Sequence, residues 1–174
     1  MDYSFGDILD GRSTPGIDHF ILVVGELSIK NKPIVMYYKI TSRVYAVFKD
    51  ILKFFNDCIS RGDAKFLRCF SKEKNKEIIV PHGPLCQAVF LDRDSDYPLV
   101  LDLDSMVVLN QDPELIDKEA LETLKKDGKI TYRIRLTKSD TFNLINSIKF
   151  SNTYMSPDKI NKISHSFNQI KNSL

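Results

Sequence analysis

The spacing of apolar residues changes along this chain, and that change constrains the fold more than any other feature. Up to about residue 40, apolar residues form short runs bounded by Gly, Pro or Asn, at 6–9, 19–24 and 33–40. Runs of this length, rich in β-branched and aromatic residues, predict strands. From 44 to 60 the apolar residues recur at three- and four-residue spacing, which predicts a helix that stops before Gly62. The chain therefore combines a sheet with added helices.

The remainder of the chain continues this mixture. Further strands are predicted at 66–70, 77–81, 88–91, 101–109 and 130–136, the last with one apolar and one basic face. A helix is predicted at 113–126, because Asp112 suits the N-cap, Pro113 the first position and Gly128 the residue beyond the last turn. Two more helices are predicted at 137–148 and from 156 onward. This order predicts an α+β fold with a small, curved, mostly antiparallel sheet.

Length and composition exclude several classes of protein. A chain of 174 residues with 43% apolar and 28% charged residues is expected to form one globular domain, residues 1–174. The apolar run around Phe20–Val24 is far shorter than the roughly 20 residues of a membrane span. The three cysteines form no CxxC pair, which excludes a zinc ribbon and favours reduced thiols. We therefore expect a cytoplasmic protein that spans no membrane, and we expect no cofactor.

The net charge of +2 hides an uneven distribution. Residues 43–76 carry nine basic and four acidic side chains, and residues 129–174 carry eight basic and two acidic ones. Between these segments, residues 77–128 carry twelve acidic and four basic side chains. If the basic segments meet in space they form an anion-binding face, whereas dispersed charges would only solvate the surface. The sequence leaves both possibilities open.

One group of residues carries the chemistry of a candidate site. Pairing of the first three strands would bring the strand opened by His19 close to the end of the third strand, Lys39 to Arg43. His19 can act as an acid–base group near neutral pH, and Thr41 and Ser42 supply hydroxyl and backbone donors. Arg12 and Arg43 offer planar guanidinium groups for phosphate oxygens. Cleavage of RNA at a 2′-hydroxyl needs these kinds of group.

The same region carries a family resemblance. Gly6-Asp7-Ile8-Leu9, a polar loop, the strand Ile21-Leu22-Val23-Val24, a strand ending in Ile40-Thr41-Ser42, and Ile79-Val80-Pro81 follow one another. This order resembles the PemK/MazF-like family of small β-barrels over roughly residues 6–43 and, more loosely, 77–126. The resemblance implies an SH3-like barrel over residues 1–128, with the helix 44–60 inserted, and an added strand and helices in residues 129–174.

Most characterised members of that family are toxins of toxin–antitoxin pairs that cut single-stranded RNA without a metal. The resemblance therefore implies a metal-independent endoribonuclease that forms a homodimer and is inhibited by an antitoxin protein. Thr41 matches the family's catalytic Thr or Ser, and His19 stands where the catalytic Arg would be. On this interpretation His19, Thr41 and Ser42 are catalytic, and Arg12 and Arg43 bind the RNA phosphate.

Each of these residues also has an ordinary structural interpretation. His19 would then be an exposed residue at the start of a strand, beside Asp18. Thr41 and Ser42 would cap the helix that starts near Arg43. Arg12 would be solvated in its loop. The two interpretations differ in one observable, whether these side chains line a single concave, positively charged groove.

Two functions of other classes remain open. Asp92, Asp94, Asp96, Asp102 and Asp104 would form a Mg²⁺ site for phosphoryl chemistry, or only a solvated connection. An EF-hand is excluded, because Tyr97 and Leu103 stand where that loop needs Gly and Glu. Alternatively, the barrel is a non-catalytic adaptor that binds a protein or nucleic acid. A partner protein would then contact helix 44–60 or the C-terminal stripe of Ile160, Ile163, Phe167 and Ile170.

Overall fold

The computed structural model describes nine stretches of the chain, and of residues 65–70, 79–82 and 150 it describes the backbone alone. The described residues are 3–43, 65–71, 74–82, 88–92, 96–98, 100–103, 105–109, 111–150 and 155–172. The helix predicted at 44–60 lies outside them, as do Cys58, Cys86, Asp94 and Asp104.

A curled antiparallel half-barrel forms the centre of the molecule, with a short helix inserted between its strands and two helices at the C-terminus. The strands are β1 (Asp7–Asp10), β2 (Phe20–Ile29), β3 (Lys32–Thr41), β4 (Lys65–Ser71), β5 (Lys76–His82), β6 (Ala88–Leu91), β7 (Ser105–Val108), β8 (Glu114–Asp117) and β9 (Thr131–Arg135). The helices are α1 (Lys118–Lys126), α2 (Lys138–Phe150) and α3 (Pro157–Lys171).

Neighbouring strands of the seven-stranded sheet follow the order β6-β7-β3-β2-β1-β9, and β8 also pairs with β3. All of these pairs are antiparallel, and β4 and β5 form a separate two-stranded sheet. The β2–β3 hairpin closes through Lys30 and Asn31, whose φ angles of 49° and 63° are those of a type I′ turn. The predicted α+β class with a curved antiparallel sheet and C-terminal helices is confirmed.

One face of the sheet holds the larger hydrophobic core, beneath α2 and α3. The ring of Phe167 meets the rings of Phe5 and Phe142 edge to face, with centroids 5.7 and 5.5 Å apart. The C-terminal apolar stripe therefore belongs to the core and is not a free surface, since Ile163, Phe167 and Ile170 are buried. Side chains of the sheet and of the two helices that share this core include Ile8, Leu22, Val24, Met36, Tyr38, Leu144, Ile148 and Ile163.

The opposite face holds a smaller core beneath α1. Successive residues of a strand point to opposite faces, so both faces of β1 and β2 are apolar. Leu121 is the fully buried residue of α1 in this core. Its sheet partners are Leu9, Ile21, Val23, Val35 and Tyr37. The central strands are thus covered on both sides, which holds their ends in place. No helix in the described part of the chain is long and apolar enough to span a bilayer.

The helix predicted at 113–126 begins later than expected. Residues Glu114–Asp117 form β8 on the edge of β3, and α1 starts at Lys118 with Asp117 as its N-cap. The prediction that Asp112 caps this helix is therefore wrong. The physical reason is tertiary, because pairing with residues 34–37 of β3 offers the backbone of these residues hydrogen bonds that the isolated sequence does not reveal. The predicted end of the helix at Lys126 is confirmed.

Strand β9 forms one end of the sheet and is less buried than its apolar residues suggested. Tyr132 is 49% exposed and Ile134 36% exposed. The basic residues of this strand turn toward β1, where Arg135 Nε donates to Asp7 Oδ1 at 2.8 Å and Arg133 Nη2 to Asp10 Oδ2 at 2.7 Å. The strand predicted at 101–109 is shorter than expected, so Asp102 lies before β7 rather than within a strand.

Candidate functional site

The candidate site lies where β2 begins and β3 ends. Phe20 pairs with Ile40 in these antiparallel strands. His19 immediately precedes Phe20, and Thr41 immediately follows Ile40, so both lie at the same end of the pair. The pairing register therefore brings the imidazole-bearing residue and the hydroxyl-bearing residues to the same end of the sheet, as expected from the sequence. Because β2 and β3 are joined by a two-residue turn, this arrangement depends only on local pairing.

The loop between β1 and β2 folds tightly beneath this end of the sheet. Gly11 N donates to the carbonyl of His19 at 3.1 Å, and Thr14 Oγ1 donates to the carbonyl of Lys129 at 2.7 Å. A Cβ on Gly11 would lie 2.7 Å from Ile17 Cγ2, so only glycine fits there. These contacts fix the loop that carries both Arg12 and His19.

A cavity of about 250 Å³ opens at this end of the sheet. All five residues predicted as site residues line it: His19, Thr41, Ser42, Arg12 and Arg43. Its other lining residues are Asp18, Phe20, Ile40, Asp102, Leu103 and Ser105. The cavity is somewhat smaller than the roughly 300–1,000 Å³ of typical small-molecule pockets.

His19 is held in one orientation by its backbone surroundings. The distance from its Nδ1 to the carbonyl oxygen of Ile17 is 3.0 Å. A carbonyl oxygen only accepts hydrogen bonds, so this contact places a proton on Nδ1 and leaves Nε2 of the neutral ring as a proton acceptor. The ring is half-buried, and the preceding residue, Asp18, has a φ of 54°, in the left-handed region. The strand start therefore presents an imidazole in the tautomer that a general base needs.

Thr41, Ser42 and Arg43 form a short turn at the end of β3. The backbone N–H of Arg43 donates to Thr41 Oγ1 at 3.1 Å, the geometry of a Ser/Thr turn. Among the described residues, none accepts a hydrogen bond from the Thr41 hydroxyl. The helix that these residues were also expected to cap lies outside the described residues, so that interpretation stays a prediction. Among the residues described, no carboxylate forms an ion pair with Arg43.

Arg12 is not a free cation. Its Nε and Nη2 donate to the two oxygens of Asp10 at 3.0 and 2.9 Å, and its Nη1 forms an ion pair with Asp102. Its guanidinium carbon also lies 4.2 Å from the centroid of the Phe20 ring. The hydrogen bond with Asp10, above all, raises the pKa of Arg12. The Arg12 side chain is 42% exposed, so it is solvated as well as held by two carboxylates.

The charges of the lining residues balance. Arg12 and Arg43 face Asp18 and Asp102, so the described lining carries no net charge while His19 is neutral. The functional interpretation expected a groove that is both concave and positively charged. The structure shows the concavity, but the described lining has no excess of positive charge. An anion that binds Arg12 in this cavity competes with the carboxylates of Asp10 and Asp102.

The aspartates between β6 and β7 form no metal centre within the described stretches. No group of three or more His, Cys, Asp or Glu side chains with metal-ligand geometry is found there. Asp102 makes an ion pair with Arg12 and lines the cavity of His19. Its place in this site, rather than in a metal site, was not foreseen from the sequence.

Two further acidic residues of the site were also missed. Asp18 lines the cavity directly, and its position next to His19 was the one available signal. Asp10 fixes Arg12 and Arg133 from beneath, and no sequence signal points to it, because Arg133 is 123 residues away along the chain. Such partners come together only when β9 pairs with β1.

Comparisons with protein-family models, with curated proteins and with solved structures return no match for this chain. The resemblance to PemK/MazF-like barrels therefore depends on the short motifs of the sequence alone. A functional assignment must come from the geometry of the cavity and the chemistry of its side chains.

Proposed function

We propose that the chain is a metal-independent endoribonuclease that cuts single-stranded RNA in the cavity of His19. The observation that carries this proposal is that His19, Thr41, Ser42, Arg12 and Arg43 line one cavity at the end of the sheet.

The proposed reaction uses the 2′-hydroxyl of the RNA as its nucleophile. His19 Nε2 takes the proton of that hydroxyl, since Nδ1 is occupied by the Ile17 carbonyl. The 2′-oxygen attacks the phosphorus and the 5′-oxygen leaves with a proton from solvent, which has access to the open cavity. Thr41 and Ser42 donate hydrogen bonds to the phosphate, and Arg12 and Arg43 offset the charge of the transition state. The products are a 2′,3′-cyclic phosphate and a 5′-hydroxyl.

The test compares wild-type protein with His19→Ala on a mixed-sequence RNA in EDTA. Wild-type protein is expected to produce fragments with cyclic phosphate and 5′-hydroxyl ends, and His19→Ala to be slower by about 100-fold or more, because positioned proton transfer contributes about 10²–10⁴-fold. Thr41→Val and Ser42→Ala are expected to reduce the rate less, by about tenfold each, through loss of one phosphate hydrogen bond.

His165→Ala is the matched control, since His165 is an exposed histidine on α3 and does not line this cavity. It should cut RNA at the wild-type rate. Intact RNA with wild-type protein would contradict the proposal. Cutting that appears only after Mg²⁺ is added would also contradict it and would favour a Mg²⁺ site at the aspartates between β6 and β7.

The wider biology implied by the resemblance is part of the same proposal. A toxin would arrest growth when expressed alone, and a His19→Ala variant would not. A homodimer and an inhibitory antitoxin protein are expected on the same ground. Sedimentation of the purified protein tests the homodimer. Co-purification with the product of an adjacent gene tests the antitoxin, and both measurements are independent of cleavage.

A second candidate function is a non-catalytic barrel that binds a protein or a nucleic acid. The observation that favours it is that His19 is the single imidazole among the described lining residues, so the described lining holds no second imidazole to protonate the leaving oxygen. Binding of RNA that stays intact, with equal affinity in wild type and His19→Ala, would support this adaptor over the nuclease.

A further inference from the structure

Asp102 contacts the guanidinium that the proposed function assigns to substrate phosphate. We propose that Asp102 takes the place of a phosphate on Arg12 in the ligand-free protein, and that single-stranded RNA binds by displacing it. This inference rests on the proposed function of the cavity and adds a way in which access to it is controlled. It also gives a role to one of the two carboxylates that balance the arginines of the cavity.

The three donor positions of Arg12 are divided between two carboxylates. Nε and Nη2 both donate to Asp10, whereas Nη1 alone contacts Asp102. Carboxylate and phosphate oxygens accept from guanidinium N–H groups in the same planar geometry. A phosphate oxygen can therefore take the place of Asp102 Oδ2 on Arg12 Nη1 while the guanidinium stays where it is.

The two carboxylates differ in how readily they can be exchanged. The side chain of Asp10 is 12% exposed and also accepts from Arg133 at 2.7 Å, so it is held by two arginines. The side chain of Asp102 is 72% exposed, and an ion pair this exposed contributes little in water. An incoming phosphate would therefore displace Asp102 and leave Asp10 in place.

The guanidinium keeps its position when Asp102 leaves. The two hydrogen bonds to Asp10 fix its plane, and its carbon lies 4.2 Å from the centroid of the Phe20 ring. Both Arg12 and Phe20 line the cavity. Arg12 is thus a preorganised hydrogen-bond donor for a phosphate, and Asp102 is the exchangeable carboxylate that now occupies its Nη1.

The binding test uses a single-stranded 2′-O-methyl oligoribonucleotide, which cannot be cut at its 2′-oxygen, and fluorescence anisotropy at fixed salt. Asp102→Asn is expected to lower the Kd by about threefold to fivefold, because the competing charge is removed from an exposed pair. The same change in an Arg12→Gln background is expected to lower it by less than about twofold, since the group that Asp102 covers is then missing.

Two matched variants separate displacement from a general charge effect. Asp112→Asn removes an exposed acid that pairs with Lys159 and does not line the cavity, and it should leave the Kd unchanged. Asp18→Asn removes an acid that lines the cavity but forms no ion pair with Arg12, and it should change the Kd less than Asp102→Asn. An equal gain from Asp18→Asn and Asp102→Asn would overturn the inference.

A phosphate titration distinguishes failure of this inference from failure of the proposed function. The Nε–H resonance of Arg12, identified by its absence in Arg12→Gln, is expected to shift at lower inorganic phosphate in Asp102→Asn than in wild type. If the oligonucleotide binds neither protein, the proposed function fails, and this titration alone decides the inference. If wild type binds RNA and Asp102→Asn binds neither RNA nor phosphate more tightly, the inference fails and the proposed function stands.

Discussion

At the scale of single residues, Asp10 holds two arginines that lie far apart along the chain. It accepts from Arg12 at 2.9 Å and from Arg133 at 2.7 Å through the same oxygen, Oδ2. The hydrogen bond from Arg12 first, and that from Arg133 next, hold the pKa of the Asp10 carboxyl well below its usual range, although burial opposes the shift. This residue therefore connects the loop of the candidate site to the edge strand β9.

A lowered pKa in the folded protein predicts a pH-dependent contribution to stability. The contribution is fully present above the unfolded Asp pKa of about 3.9 and is lost as the pH falls toward the folded value. Asp10→Asn is therefore expected to lower the free energy of unfolding by about 1.5–3 kcal/mol at pH 7. Urea denaturation at pH 7 and at pH 3 should show the difference from wild type shrinking in acid, and a constant difference would contradict this account.

At the scale of elements, the start of α1 shows how a tertiary contact overrides local signals. Asp112, Pro113 and Glu114 carry the pattern of a helix start, yet Glu114 lies in β8. Its carboxylate accepts from the Tyr37 hydroxyl at 2.8 Å and pairs with Lys39 at 3.0 Å, so side chains of β3 support the strand. The helix begins only where pairing with β3 ends.

The two possible caps of α1 make opposite predictions. Asp117 Oδ1 accepts from the N–H groups of Glu119 and Ala120 at 2.8 and 3.3 Å. Asp117→Ala is therefore expected to lower the free energy of unfolding by about 0.5–2 kcal/mol through loss of the cap. Asp112→Ala should cost less than about 1 kcal/mol, since it removes only a surface ion pair with Lys159. Thermal unfolding of both variants decides between them, and a larger loss from Asp112→Ala would contradict the observed helix start.

At the scale of the whole molecule, the C-terminal helix α3 and the sheet depend on a close approach at Gly25. A Cβ at this position would lie 2.8 Å from Ser166 Oγ and 3.2 Å from Met36 Cε. The helix can therefore reach β2 only because residue 25 has no side chain. This approach brings Phe167 and Ile170 into the larger core.

Filling this space is expected to destabilise the protein without touching the candidate site. Gly25→Ala should lower the free energy of unfolding by about 1–3 kcal/mol, because the φ of 156° strains a residue with a side chain and the added methyl group crowds Ser166. Ser166→Ala in the same chain removes the nearest atom and should restore part of that loss. Urea denaturation measures both effects, and an unchanged midpoint in Gly25→Ala would show that α3 does not pack as described.

The parts of this structure that were predictable are those that depend on neighbouring segments. The strands of the β2–β3 hairpin and the starts of the C-terminal helices follow from periodicity and turn residues, which act over a few positions. For the same reason the meeting of His19 with Thr41 and Ser42 could be predicted. The Arg12–Asp102 pair, 90 residues apart in the chain, could not.

The order of apolar and polar residues by itself determined the α+β class and the candidate group at the end of the first hairpin, because hydrophobic burial acts on local patterns. Only the tertiary structure decided where α1 begins and that β9 lies at the edge of the sheet. It also decided that Asp10 and Asp102 both pair with the guanidinium of Arg12. Charges on distant segments interact only after the sheet has brought them within a few ångströms, and the sequence does not encode that distance in any local pattern.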